Sequence, residues 1–178
     1  KTFSEKEFMS PLPMNPWVLP PTGLSTISAR KSSRTSFTPI RSNPFPFGLA
    51  YATSRLIADG HDALLLDCIA LGLSDDDLAG RVREFVPDRV VMETSAPSFA
   101  ADVATLRSLD VPVTAVGQHA TATWGEHLDA GFESVVLGEY DPVITRAVEG
   151  EEAPWRATKD AVPTSCAPLE DDLDAVPR

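Results

Sequence analysis

The chain is poor in cysteine, in histidine and in long apolar runs, and each shortage excludes a class of protein. Its two cysteines, Cys68 and Cys166, lie far apart, so they form neither a disulfide framework nor a local four-cysteine zinc site. No apolar run approaches the roughly 20 residues that a membrane-spanning helix needs. Sparse cysteine is typical of a reducing compartment, and we expect a cytoplasmic protein.

Common nucleotide-binding motifs are missing as well. There is no G-x-G-x-x-G after a strand and no G-x-x-x-x-G-K-[ST], which leaves a nicotinamide or P-loop function unsupported. The stretch "PPTGL" (20–24) is a poor phosphate cradle for flavin mononucleotide. The stretch "WVLPP" (17–21) lacks the acidic cluster that a receiver domain carries at the end of its first strand.

Acidic residues outnumber basic ones in the chain. The net charge of −11 argues against nucleic-acid and anionic-membrane partners, because both would be repelled. Residues 1–45 nevertheless hold six Lys/Arg against two Glu, whereas residues 149–178 hold eight Asp/Glu against three Lys/Arg. This asymmetry suggests docking elements at the two ends, although such runs are more often only solvated.

What is present is an alternation of strand and helix patterns, in a composition of 43% hydrophobic residues that is typical of a globular domain. Short apolar runs at 63–67, 89–93, 112–116 and 134–137 are typical of strands buried on both faces of a parallel sheet. Helix signals separate them, including a capping box at Ser74 and Asp77 and a proline, Pro142, at a first turn. The pattern predicts an α/β fold with a doubly wound sheet.

The organisation along the chain follows from these patterns. We expect an N-terminal segment, 1–45, with a first strand at about 17–21 and a polar, basic insert at 25–44. The remainder of the domain covers 46–150, and 151–178 is an acidic tail or connector. A loop as long as the insert is usually a lid, a binding loop or a disordered segment.

In an open parallel sheet, ligands bind beyond the carboxyl ends of the strands. That rule selects the loops at 20–24, 94–98, 117–121 and 138–140, which are rich in Gly, Ser and Thr. His119 has three open interpretations: a polar residue making a backbone hydrogen bond, a cofactor contact, or a metal ligand or general base. Its spacing of eight from His127 fits no local ligand motif. We expect His61 and His127 at the surface.

Several landmarks, in order, resemble a known family. "PFPFGLAYATSRLIADGHDALLLDCIALGLSDDDL" (44–78) is similar to the opening of the cobalamin-binding domain at the front of cobalamin-dependent radical S-adenosylmethionine enzymes. "METSAPSF", "VGQHAT" and "VLGEYDPVI" resemble that family's Thr/Ser-rich loop, its G-G-x-H-x-T-like turn and its G-E-x-E-like strand end. The ending "LEDDLDAVPR" resembles its connector. The likeness covers about residues 46–178, with 17–24 as the first strand.

The resemblance implies a flavodoxin-like (Rossmann-like) fold: a doubly wound, parallel, five-stranded sheet in three layers. The sheet would hold a corrinoid, with the nucleotide tail among the strand ends, and His119 would line the cavity without ligating a metal. The cofactor-binding residues that we expect are Thr22, Gly23, Thr94, Ser95, Ser98, Gly117, Gln118, His119, Thr121, Gly138 and Glu139.

Two departures qualify the family's pattern. The D-x-H-x-x-G of methionine-synthase-like domains is absent, so we expect cobalamin without a histidine lower ligand. Gln118 replaces the second glycine of G-G-x-H, which places a Cβ where the cofactor would approach the backbone.

The chain also lacks the cysteine motif that radical chemistry needs. A [4Fe–4S] cluster is held by three closely spaced cysteine thiolates, and this chain has two distant cysteines. The resemblance therefore implies a cobalamin-binding module of a methyltransferase system. A radical domain or subunit outside this chain would supply S-adenosylmethionine and the cluster, and the methyl acceptor would be a small molecule or peptide. The alternative is a degenerate Rossmann-like docking or scaffold protein without cobalamin, which Gln118 and the proline-crowded first strand favour.

Overall fold

The computed structural model describes residues 25–30, 36–38, 46–68, 70–172 and 174. The strands are β1 (Ser25–Arg30), β2 (Ser36–Thr38), β3 (Asp62–Ala63), β4 (Arg89–Glu93), β5 (Val113–Val116), β6 (Ser134–Val136) and β7 (Arg156–Ala157). The helices are α1 (Phe47–Ala58), α2 (Asp75–Phe85), α3 (Phe99–Leu106), α4 (Gln118–Ala122), α5 (Trp124–Ala130) and α6 (Ile144–Val148), with a 3₁₀ turn at Asp141–Val143. Among these residues, no helix is both long and apolar enough to cross a bilayer.

The strands form one mixed sheet in the order β2-β1-β4-β5-β6-β7, with β3 pairing to β1 beside this path. The pairs β4–β5 and β5–β6 are parallel, whereas β1 runs antiparallel to β4 and β7 antiparallel to β6. The α/β class predicted from the sequence is confirmed. The parallel part is formed by the apolar runs of β4, β5 and β6, as expected for strands covered on both faces.

Two segments differ from the sequence-based prediction. Part of the predicted insert, 25–44, supplies β1 and β2, because pairing with β4 satisfies the backbone groups of a polar segment that has no apolar periodicity of its own. The predicted strand at 63–67 is reduced to Asp62–Ala63, which pairs only with the end of β1. The predicted first strand at 17–21 lies outside the described residues.

The core lies on both sides of the parallel strands. Val90, Val91 and Met92 of β4 are fully buried, as are Val135 and Val136 of β6. The helices present apolar faces to these strands, and α2 begins with the expected capping box, in which Ser74 and Asp77 bond each other's backbone N–H.

A short strand lies within the segment 151–178, which was predicted as a tail or connector. There β7 pairs with β6, and Trp155 is buried. Beyond β7, Ala167 forms a parallel bridge with Gly138, and its N–H donates to the Leu137 carbonyl at 2.7 Å. The packed region therefore extends past Gly150, because the pairing groups of β6 need a partner on that side.

We expect Gly138→Ala to lower the free energy of unfolding by about 2 kcal/mol. Gly138 has φ +86°, and an added Cβ would lie 2.9 Å from the Cβ of Cys166. Gly125→Ala on α5 is the control, because an added Cβ there meets nothing within 4 Å; it should stabilise by up to about 1 kcal/mol. Urea denaturation measures both, and equal effects would contradict the packing of residues 166–167 on Gly138.

Candidate functional site

A cavity of about 340 Å³ opens at the carboxyl ends of β4, β5 and β6. This is the edge at which open α/β sheets bind ligands, and the volume lies within the range of small-molecule sites. The lining residues come from the three strand ends, from the start of α1 and from α4; they are Gly48, Glu93, Gly117, Gln118, Thr121, Ala122, Gly138, Glu139 and Tyr140.

Thr121 joins the loops that follow β5 and β6. Its hydroxyl donates to the Gly117 carbonyl at 2.9 Å and accepts from the Gly138 N–H at 3.0 Å. Gly117 itself has φ +98°, and an added Cβ would lie 3.0 Å from Cγ of Glu93. Glycine at this position therefore lets the Glu93 side chain extend across the end of β5.

Tyr140 forms the inner wall on the α1 side. Its side chain is 5% exposed, and its hydroxyl interacts with the Glu93 carboxylate. Gly48 makes room for this hydroxyl, because a Cβ there would lie 2.4 Å from the Tyr140 oxygen. The Tyr140 side chain therefore links the start of α1 to the end of β4.

The cavity is acidic. Burial raises the pKa of the Glu93 carboxyl, the nearby Tyr140 hydroxyl opposes this, and the Glu139 carboxylate raises it further. Burial also raises the pKa of Tyr140 well above its usual value, with the charge of Glu93 adding to the effect. The described lining contains no lysine, arginine or histidine, so its side chains offer a ligand two carboxylates, the Gln118 carboxamide and one phenol, but no cation.

The structure brings five of the predicted cofactor-binding residues into the cavity wall: Gly117, Gln118, Thr121, Gly138 and Glu139. Gln118 is the first residue of α4 and is exposed, so its Cβ is accommodated by helical geometry. Sequence reasoning missed Gly48, Glu93 and Ala122, and it selected the loop 138–140 without assigning a role to Tyr140. The strand-end position of Glu93 was the available signal for one of them. Thr22 and Gly23 lie outside the described residues.

Thr94 is buried and its hydroxyl is engaged inside the protein. Its Oγ1 lies 2.8 Å from Nε2 of His127, while Nδ1 of His127 lies 3.0 Å from the Thr123 carbonyl. Because a carbonyl only accepts, Nδ1 carries the proton, and Nε2 must accept from Thr94. Thr94 is thus a donor to His127, and its predicted contact with a cofactor stays a prediction.

The predicted surface positions of His61 and His127 are wrong. His61 is 8% exposed and His127 is fully buried, because each ring fills space beside the core. Burial lowers the pKa of His127, the Thr123 carbonyl opposes this, and the neighbouring His119 lowers it further. His127 is therefore a neutral structural residue.

His119 lies beside the cavity and not in its described wall. Its ring centroid is 5.2 Å from those of Phe99 and His127, both in edge-to-face geometry, and its buried Nε2 has no hydrogen-bond partner. Among the described residues, no group of three His, Cys, Asp or Glu side chains is arranged to hold a metal ion.

Ser95 and Ser98 form a local network with Asp102. The Ser98 hydroxyl donates to Oδ2 of Asp102 at 2.8 Å and lies 2.7 Å from the Ser95 hydroxyl. Asp102 is fully buried, and burial raises its pKa to about 7, against opposing hydrogen bonds from Ser98 and the Ser95 backbone. Ser98 precedes α3 but does not cap it with its side chain. These two serines are not in the described cavity wall, and their contact with a cofactor stays a prediction.

Comparison with known proteins adds no assignment, since no family model, curated protein or solved structure matches the chain.

We expect Thr94→Val to lower the free energy of unfolding by about 1–3 kcal/mol, because it leaves the buried Nε2 of His127 without a donor. Thr164→Val, at an exposed side chain, is the matched control. Thermal and urea unfolding measure the difference. Equal stability of the two variants would show that Thr94 does not hold His127.

The buried Asp102 should make stability fall as the pH rises. Its folded pKa, about 7, lies above the ordinary aspartate value of 3.8, so the native state binds the proton more tightly than the unfolded chain. The stabilisation is complete below about pH 4 and is lost as the pH rises through about 7. Asp102→Asn should remove this component, seen as a smaller loss of unfolding free energy between pH 4 and pH 8. Asp129→Asn, at an exposed carboxylate, is the control, and a pH profile of Asp102→Asn parallel to that of the unsubstituted protein would contradict the assignment.

Proposed function

We propose that this chain is the cobalamin-binding module of a cobalamin-dependent radical S-adenosylmethionine methyltransferase system. The observation that supports it is the cavity, because two of the landmarks that resemble the family, "VGQHAT" and "VLGEYDPVI", supply most of its wall. On this proposal the sheet is related to a five-stranded, three-layer flavodoxin-like one, with β4, β5 and β6 among its parallel strands.

The residues of the cavity fit part of a corrinoid. Cobalamin carries primary amides around its ring, and the Glu93 and Glu139 carboxylates are acceptors for their N–H groups. The Gln118 carboxamide in the same wall offers N–H donors. A corrin is larger than the drug-sized ligands that a cavity of about 340 Å³ encloses, so the described residues would hold only part of it.

When bound, cobalamin supplies the transfer of a methyl group. The chain's own share is binding, orientation and shielding of the cofactor from water. That cobalamin would bind without a histidine lower ligand is part of the proposal.

The cluster and S-adenosylmethionine would come from a radical domain or subunit. Cys68 is a poor cluster ligand, because burial and then the nearby Asp67 raise the pKa of its thiol and keep it protonated. The methyl acceptor, a small molecule or a peptide, would bind to the assembled system, and the proposed setting is the cytoplasm.

One observation favours the second candidate function, a docking or scaffold protein without cobalamin. The antiparallel β1 lies along β4, on the side where a flavodoxin-like sheet carries a parallel strand. A domain that no longer holds the cofactor tolerates this replacement.

Titration with hydroxocobalamin separates the two functions. We expect a change in its visible spectrum that saturates at one corrinoid per chain. Ala122→Trp should weaken binding at least about tenfold, because an indole at this cavity wall fills the space. Ala104→Trp, at an exposed position on α3, is the matched control. An unchanged spectrum, together with colourless purified protein, would favour the scaffold.

A further inference from the structure

A patch of aromatic and acidic side chains lies beside the cavity, on the side of α1. We call it the rim patch, and its residues are Phe47, Tyr51, Glu139, Asp141 and Glu170. Phe47 and Tyr51 are 60% and 46% exposed, and their spacing of four places them on one face of α1. Glu139 belongs to the cavity wall as well. Large aromatic side chains exposed together in this way mark an interaction surface.

Arg55 connects the aromatic part of the rim patch to its acidic part. It lies one turn after Tyr51 on α1, and its guanidinium forms an ion pair with Glu170 at 2.5 Å. Burial raises the pKa of the Asp141 carboxyl, Arg55 opposes this, and the carboxylates of Glu139 and Glu170 raise it further. Three carboxylates therefore lie close enough to influence one another, and a single guanidinium only partly offsets their charge.

We propose that the rim patch docks a basic face of a partner polypeptide, on which arginine or lysine side chains lie beside apolar ones. The surplus carboxylates attract cations, and a guanidinium stacks on an exposed aromatic ring. Asp171 and Asp172, which are both exposed, continue the negative charge beyond Glu170. The inference goes beyond the proposed function and applies equally to the scaffold, because both need a partner polypeptide.

Other occupants fit the rim patch less well. A nucleic acid or an anionic membrane would be repelled by these carboxylates. A second copy related by twofold symmetry would bring the same patch onto itself, so Glu139 and Asp141 would meet their own like charges. A purely apolar partner would cover the carboxylates without supplying a counter-charge, which costs free energy. A basic partner covers the rings and offsets the charge together.

The first experiment measures the binding of two synthetic peptides to the whole chain by fluorescence anisotropy. One peptide carries arginine and leucine at helical spacing, and the other carries glutamate in place of arginine. The arginine peptide should bind at least about tenfold more tightly. The difference should shrink as salt is added, because exposed charges are screened. Equal binding of the two peptides would overturn the proposal.

The second experiment assigns the binding to the rim patch. Tyr51→Ala should weaken binding of the arginine peptide about fivefold, because a guanidinium loses its aromatic face. Ile57→Ala is the matched control: this side chain is 56% exposed on the same helix but lies roughly 120° away around the axis. Asp141→Asn should weaken binding about threefold. Asp129→Asn, at an exposed position on α5, removes the same charge and should leave the affinity unchanged.

The outcomes distinguish this inference from the proposed function. Equal affinities of Tyr51→Ala and Ile57→Ala, or of Asp141→Asn and Asp129→Asn, would overturn the rim patch as a docking site. A dimer in sedimentation that Tyr51→Ala converts to a monomer would also overturn it, because the occupant would then be a second copy. Tyr51→Ala should bind hydroxocobalamin as the unsubstituted chain does, since Tyr51 is not in the described cavity wall. No binding of hydroxocobalamin by the unsubstituted chain would overturn the cobalamin function alone.

Discussion

The cavity depends on one hydroxyl that ties two strand ends together. Thr121 donates to the carbonyl of Gly117 and accepts from the N–H of Gly138, and these glycines follow β5 and β6. Both have positive φ angles, which turn the chain sharply away from the sheet at adjacent parallel strands. These two turns frame the cavity, and Glu93 and Tyr140 line it between them.

The loop after β4 contributes in a different way. Thr94 hydrogen-bonds the buried imidazole of His127, and Ser98 hydrogen-bonds the buried carboxylate of Asp102. The hydroxyls that the sequence suggested as ligand contacts therefore mainly provide hydrogen bonds to other buried side chains. They fix the position of α3 and of the aromatic residue Phe99, against which both His119 and His127 pack. The loop after β4 therefore packs behind the described cavity wall and does not form part of it.

Local signals in the sequence predicted local features well. The capping box of α2 and the glycine turns after β5 and β6 were found because each depends on residues within a few positions. β1 was missed because its pairing with β4 joins segments far apart in sequence, and a polar strand has no apolar alternation to reveal it. The loop that contains Tyr140 was selected, but the position of its side chain could not be predicted, because it depends on Gly48 of another element.

The end of the chain shows how one glycine serves two constraints. The space that a side chain at Gly138 would need is taken by Cys166 and Ala167, whereas its N–H faces Thr121 and the cavity. Gly138 thus leaves space for residues 166–167 on one side and forms part of the cavity wall on the other. Since the Ala167 N–H bonds the neighbouring Leu137 carbonyl, displacement of this segment would release the loop that carries Glu139 and Tyr140. The segment that contains Cys166 and Ala167 therefore packs against the residue that shapes the cavity.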